Sequence, residues 1–136
     1  MLVKVYSDGG SRGNPGPAAF GVVVCNEHDE VIKTHRLCIG ESTNNIAEYT
    51  GLIAASECAF QMEADEVQFH MDSELVIKQM RGEYKVKDEK MKALYLVAKE
   101  DEKRFKSVTY THLRREHPMM QQADEQVNIA LDEKGF

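Results

Sequence analysis

The chain has no long apolar run, no paired cysteine spacing and no surplus of basic charge. Each absence removes a class of function. No stretch approaches the ~18 apolar residues that a membrane-spanning helix needs, so a transmembrane protein is excluded. The opening Met1-Leu2-Val3-Lys4-Val5 reaches a charged residue at once and lacks the apolar core and small-residue cleavage site of a signal peptide. Cys25, Cys38 and Cys58 are odd in number, lie in apolar stretches and form no Cys-x-x-Cys pair. That pattern argues against a disulfide framework or a zinc site, and for reduced thiols in a cytoplasmic protein. A reactive thiol would need a basic or helix-N-terminal setting. The net charge of −6 gives little overall attraction for phosphate, since nucleic-acid binding rests on counterion release by Lys and Arg.

What remains is a soluble globular chain of 136 residues, 42% hydrophobic and 29% charged. That length holds one core and is too short for two ordinary ones, so a single domain over 1–136 is expected. It contains no internal repeat, low-complexity tract or linker. Residues 2–7 read as a β-strand, and the run from Gly9 to Pro17 as a loop. Phe20–Cys25 and Val31–Ile39 flank the polar turn Asn26–Glu30 and read as a hairpin. Helical spacing runs from Asn45 to about Met62, then from Ser73 to Met80 with Gly82 as a stop, and from Asp88 to about Phe105. Val67–Met71 and Ser107–Leu113 read as strands. After a loop over Arg114–Gln122, a last helix begins at Ala123 and continues through Val127, Ala130 and Leu131. The order β-β-β-α-β-α-α-β-α predicts an α/β fold: a five-stranded mixed sheet, three antiparallel strands followed by two parallel ones, with helices on both faces.

Four carboxylates stand in this layout where they could meet. Asp8 closes the first strand, Asp72 closes Val67–Met71, Glu48 lies early in the first long helix, and Asp124 opens the last helix. Open α/β sheets place their sites at the carboxyl ends of parallel strands. Oxygen ligands gathered there suit hard cations such as Mg²⁺ or Mn²⁺, and two such ions could activate a water and stabilise the leaving oxygen in phosphodiester hydrolysis. Each acid also has an ordinary reading: Asp8 as a turn residue, Asp72 as a helix N-cap, Glu48 and Asp124 as acids favoured by a helix dipole. A second feature is the segment 78–92, which carries six basic residues against three acidic ones, a local charge of +3. It is either a solvated surface or a phosphate track beside the acids.

The neighbours of these acids are Tyr6-Ser7-Asp8-Gly9-Gly10-Ser11-Arg12-Gly13-Asn14-Pro15-Gly16-Pro17, Ser42-Thr43-Asn44-Asn45-Ile46-Ala47-Glu48, Met71-Asp72-Ser73 and Gln122-Ala123-Asp124. Together, in this order, they resemble the signature of type 1 ribonuclease H over residues 2 to about 132. The resemblance implies a ribonuclease H-like fold and endonucleolytic cleavage of RNA in an RNA/DNA hybrid with Mg²⁺ or Mn²⁺. It implies that Asp8, Glu48, Asp72 and Asp124 hold metal, and that Gly9, Asn14, Thr43, Asn44 and Asn45 face the substrate. Glycines admit close approach of a strand, and Asn and Thr can reach phosphate, base edges or the 2′-hydroxyl. One of Asn44 and Asn45 is expected to cap the helix as well.

Three departures from the family pattern stand out. Arg81 to Lys87 joins two helices directly, so the basic handle of many bacterial members is missing; no hybrid-binding domain is expected before Met1, and hybrid affinity is expected to be weak. Lys85 and Lys87 are the substitutes by position and charge. In the loop before Asp124 the family's usual histidine is replaced by Arg114, leaving His112 and His117 close enough in sequence to compensate, with His117 the accessory candidate. The family's Asn four residues before the last acid is Met120, which cannot make the amide's hydrogen bonds, so slow turnover is expected. A silent hybrid-binding module and another superfamily nuclease such as a junction resolvase are the alternatives. No obligate protein partner is implied.

Overall fold

The computed structural model describes residues 1–136. Strands β1 (Leu2–Ser11), β2 (Gly16–Cys25) and β3 (Val31–Ser42) meander antiparallel. Helix α1 (Asn44–Gln61) then crosses to β4 (Glu66–Met71), and α2 (Glu74–Met80) and α3 (Glu89–Glu102) cross to β5 (Ser107–His112) before α4 (Pro118–Glu133) closes the chain. The sheet order is β3-β2-β1-β4-β5, with β1, β4 and β5 parallel. This is the expected architecture. No helix is long and apolar enough to cross a membrane.

Strand alternation sorts the core onto two unequal faces. Val3, Val5, Phe20, Val22, Val24, Val67 and Phe69 face α1, α2 and α3 in one cluster of 21 buried residues. Tyr6, Val23 and Cys25 meet Met120 and Ala123 of α4, while Ala19 meets Val127, Ala130 and Leu131, in separate clusters of five and four. Because β2 is covered on both faces, it is a continuous apolar run rather than an alternating one.

The glycine-rich segment departs from expectation. It is ladder, not loop: Gly9 pairs Phe20, Gly10 pairs Ala19 and Ser11 pairs Ala18, so only residues 12–15 turn, around a cis Asn14–Pro15 peptide. The glycines serve close packing instead of chain reversal. A Cβ on Gly9 would lie 2.2 Å from the Ala47 carbonyl carbon, so α1 rests directly on the end of β1.

Helix starts are set by side-chain caps. Thr43 Oγ1 accepts from Ile46 N–H (3.2 Å), Ser73 Oγ from Val76 N–H (3.3 Å) and Asp88 Oδ1 from Met91 N–H (2.9 Å). Neither Asn44 nor Asn45 is the cap of α1, and Asp72 does not cap α2. Helix α4 begins five residues before the predicted Ala123, with Pro118 in its first turn, where a missing N–H costs nothing. His117 is its N-cap, Nδ1 accepting from Met119 N–H at 3.1 Å.

Candidate metal centre

Asp8 sits on β1 opposite Gly21 of β2. Two residues before it, Tyr6 pairs His70 on parallel β4, which brings Asp8 and Asp72 to the same level at the strands' carboxyl ends. Glu48 comes in from the second turn of α1, where the bare Gly9 lets the helix approach. The Gly9 N–H ties the pair, lying 3.0 Å from both Asp8 Oδ1 and Glu48 Oε1. Carboxylate oxygens of Asp8, Glu48 and Asp72 all lie within 4.8 Å of one another. They line a cleft of about 300 Å³ with no hydrophobic wall, to which Gly10, Asn44, Asn45 and Asp124 also contribute.

The electrostatics of this cluster are unfavourable as they stand. Asp8 and Glu48 are each 7% exposed. Burial, helped by the charges of Asp72 and Asp124, pushes Asp8 up to about 7, although a hydrogen bond with Glu48 pulls the other way. Burial and then the Asp8 charge push Glu48 well above the carboxylate range. Glu48 Oε2 is buried with no hydrogen-bond partner. A buried carboxylate oxygen left without a donor, among acids that raise one another's pKa, is what a hard cation would satisfy. The residues present therefore fit a divalent ion.

Asp124 lines the same cleft but belongs to a different setting. It is exposed, lies on α4 outside the close triad, and is in the second turn of its helix rather than at its start. Arg115, which the sequence reading passed over, is the one cation lining the cleft; its Nε is 3.7 Å from Asp72 Oδ2, with the side chain 82% exposed. Counting back from Asp124 lands on its neighbour Arg114, which is exposed and does not line the cleft. The Arg-Arg pair was the available signal, one residue out of register.

Residues 6–128 match the Reverse transcriptase-like family. The chain is 38% identical over 131 residues to Ribonuclease HI of Halobacterium salinarum, covering 96% of this chain and 65% of that protein. The crystal structure of RNase H1 from that archaeon matches with a TM-score of 0.93, covering 98% of this chain and 99% of the other. The chain belongs to the type 1 ribonuclease H family. A further ribonuclease H structure, LC11-RNase H1 in complex with RNA/DNA hybrid, is 40% identical with a TM-score of 0.90, covering 97% and 98% of the two chains. Bifunctional protein Rv2228c of Mycobacterium tuberculosis is 41% identical over 133 residues, 97% of this chain. The chain spans only 36% of that protein's length.

The ribonuclease H positions that the sequence marks for substrate divide into two groups. Gly9, Asn44 and Asn45 line the acid cleft, whereas Asn14 and Thr43 line an adjoining groove of about 590 Å³ with Asn45 and Lys90. Several are already engaged: Asn44 Oδ1 accepts from Ser11 N–H (2.9 Å) and Oγ (3.1 Å), and Asn14 Oδ1 accepts from Asn44 N–H (3.1 Å). The turn after β1 is thus laced to the start of α1. Lys85 lines a separate cavity with Tyr84, Lys92 and Tyr95, and Lys87 is exposed; neither lines the cleft. His117 is occupied as a cap and stacks on Tyr6 at 6.1 Å.

Met120 requires a correction. The sequence reading treats it as a missing amide beside the site, but it is 1% exposed and packs on Tyr6, Val23, Cys25 and Ala123. Its place in the 3.6-residue apolar stripe of α4 makes it core. It is not an impaired site residue.

Proposed function

We propose that the protein is a metal-dependent endonuclease that hydrolyses the RNA strand of RNA/DNA hybrids, acting as a single domain over 1–136. The observation that carries this reading is the buried, partnerless Glu48 Oε2 within the Asp8–Glu48–Asp72 cluster. Asp8, Glu48 and Asp72 would hold Mg²⁺ or Mn²⁺, with Asp124 completing the rim. Two such ions, when bound, activate a water and stabilise the oxygen that leaves in phosphodiester hydrolysis. The chain's own residues supply the rest. The Gly9 N–H fixes Asp8 and Glu48 relative to each other. Asn45, exposed at the junction of cleft and groove, offers donor and acceptor to the 2′-hydroxyl that separates RNA from DNA. Arg115, exposed beside Asp72, supplies positive charge for a backbone phosphate. Lys85 and Lys87, in the connection between α2 and α3, extend that attraction beyond the cleft. The three free cysteines accord with a reducing cytoplasmic setting.

The test is cleavage of labelled RNA/DNA hybrid, RNA duplex, DNA duplex and branched DNA, each with Mg²⁺, Mn²⁺ or chelator. Metal-dependent cuts confined to the RNA of the hybrid are expected. Hybrid binding without cleavage in either metal would make the protein a silent binding module, and cleavage of branched DNA alone would make it a resolvase.

A further inference from the structure

The fourth acid is the least constrained of the set, and the structure supplies what holds it. Asp124 is exposed and stands one turn before Asn128 on α4. Helical side chains lean toward the N-terminus, so Asn128 reaches back over Asp124. Its Nδ2 lies 3.4 Å from Asp124 Oδ2 and 3.2 Å from the Asp124 carbonyl oxygen. On the other side, Arg12 Nη2 donates to Asn128 Oδ1 at 3.3 Å. Arginine has no acceptor, so the amide atom that faces it must be oxygen. Arg12 thereby orients the amide, and its donor end faces the carboxylate. Without Arg12 the amide is free to turn over and present oxygen to oxygen. The guanidinium is itself anchored, with Nη1 2.8 Å from Asp132 Oδ1 and bonded also to the Phe136 carbonyl.

We propose that Arg12 and Asn128 are positioning residues that aim the Asp124 carboxylate into the metal cleft, Asn128 by direct hydrogen bond and Arg12 by fixing the amide. The proposal rests on the reading of Asp124 as a metal acid. It also links the two halves of the site: Arg12 belongs to the 12–15 turn whose Asn14 holds the start of α1, so the turn laced to α1 also steers the acid on α4.

The experiment is a calorimetric Mn²⁺ titration of the substrate-free protein, with turnover at saturating hybrid as a second readout, for Asn128→Ala, Arg12→Ala, the double variant, Arg36→Ala and Asp124→Asn. Partners of metal ligands beyond the first contact shell are worth ~10- to 100-fold in metal affinity, and for this exposed pair the low end applies. Asn128→Ala should weaken Mn²⁺ binding about tenfold, and Arg12→Ala should weaken it less. Arg12→Ala should add nothing once Asn128 is gone, because it acts only through that amide. Arg36→Ala, which loosens α4 by removing its bonds to Glu133 and Gln126 but touches neither Arg12 nor Asn128, should bind Mn²⁺ like the parent. Thermal melts report folding; alanine favours the helix at position 128. If Asp124→Asn weakens binding while Asn128→Ala and Arg12→Ala do not, the positioning role is overturned and the fourth-acid reading stands. If Arg36→Ala costs as much as Arg12→Ala, the effect is helix docking, which also overturns it. If Asp124→Asn itself binds normally, the fourth-acid reading fails, and the positioning role with it.

Discussion

The cleft has two faces, one where α1 crosses the ends of β1 and β4 and one along α4, and they hold their acids very differently. On the α1 face, a 21-residue core backs β1 and β4, and the carboxylates gathered at their ends are buried, mutually close and electrostatically strained. On the α4 face, two small clusters and surface ion pairs such as Arg36–Glu133 at 2.9 Å hold the helix, and its acid is exposed and apart. A strained cluster needs a rigid frame, because acids that repel would otherwise separate; a rim acid can be held by polar contacts alone. Metal affinity and fold stability should therefore be opposed on the first face and nearly independent on the second.

The sharpest test of that contrast is substitution of the acids. Asp8→Asn or Asp72→Asn should reduce hybrid cleavage to background while the metal-free protein melts no lower, since each removes a repelling charge. Asp124→Asn should leave measurable activity and shift the metal requirement upward. Equal losses from Asp8→Asn and Asp124→Asn, with the same metal dependence, would erase the distinction between the faces.

Two glycines probe the frames themselves. A Cβ at Gly9 would meet Ala47 backbone at 2.2 Å, and one at Gly21 would meet the Ala123 carbonyl oxygen at 2.3 Å. Overpacking against backbone costs ~1–3 kcal/mol and sometimes more. Gly9→Ala must displace α1 from the large core and should cost above that range, about 4 kcal/mol. Gly21→Ala displaces only α4 and should cost about 2 kcal/mol, yet raise the Mn²⁺ needed for half-maximal cleavage because Asp124 moves with the helix. Chemical denaturation and metal titration of both variants decide this. A larger stability loss at Gly21 would reverse the ranking of the two frames.

Gly21 is legible as a strand residue, whereas Gly9 and Gly10 are strand residues that local signals place in a loop. Glycine-rich runs mark turns when judged locally, and nothing within residues 9–17 reveals that α1 will press on the strand. The long-period elements were legible: α1, β4 and β5 appear within a residue or two of their predicted bounds because their apolar spacing answers to burial. The triad was legible because Asp8 and Asp72 stand just past the last residues that β1 and β4 pair with each other, and Glu48 lies early in the helix between those strands. Met120 and Arg115 were not. Each is decided by where α4 begins, and the Pro118 that starts it was read as part of a loop. Starting the helix at residue 118 puts Met120 on the buried stripe.

That correction changes what Met120→Asn should do. As a restored site residue it would speed turnover; as core, it buries an amide beside Val23 and Cys25. An unpaired buried amide together with lost packing costs about 3 kcal/mol. The variant should melt well below the parent with no gain in turnover at low temperature. A faster enzyme of unchanged stability would show that Met120 faces the chemistry after all.

The subtlest expected effect is the pH dependence of the metal-free protein. Asp8, raised from 3.8 to about 7 chiefly by burial, and Glu48, also raised by burial, hold protons more tightly folded than unfolded. Between pH 4 and 7 the unfolded chain has released those protons and the folded one still holds them, so stability falls as pH rises through this window. The exposed acids held below their ordinary range by cationic partners, Asp29, Asp65, Glu74 and Glu133, work in the opposite sense. Their stabilisation is lost as pH falls below about 4, so the two trends occupy separate ranges. Urea melts with chelator should therefore lose stability from pH 4 to 7, the slope should shrink in Asp8→Asn, and saturating Mg²⁺ should remove it by binding the ionised cluster in the folded state alone. Asp124→Asn removes only a lesser cause of the Asp8 shift, behind burial, and should shrink the slope less than Asp8→Asn does. A flat profile in the parent, or a slope that survives Asp8→Asn together with Glu48→Gln, would mean that the strain of this protein does not reside in its buried acids.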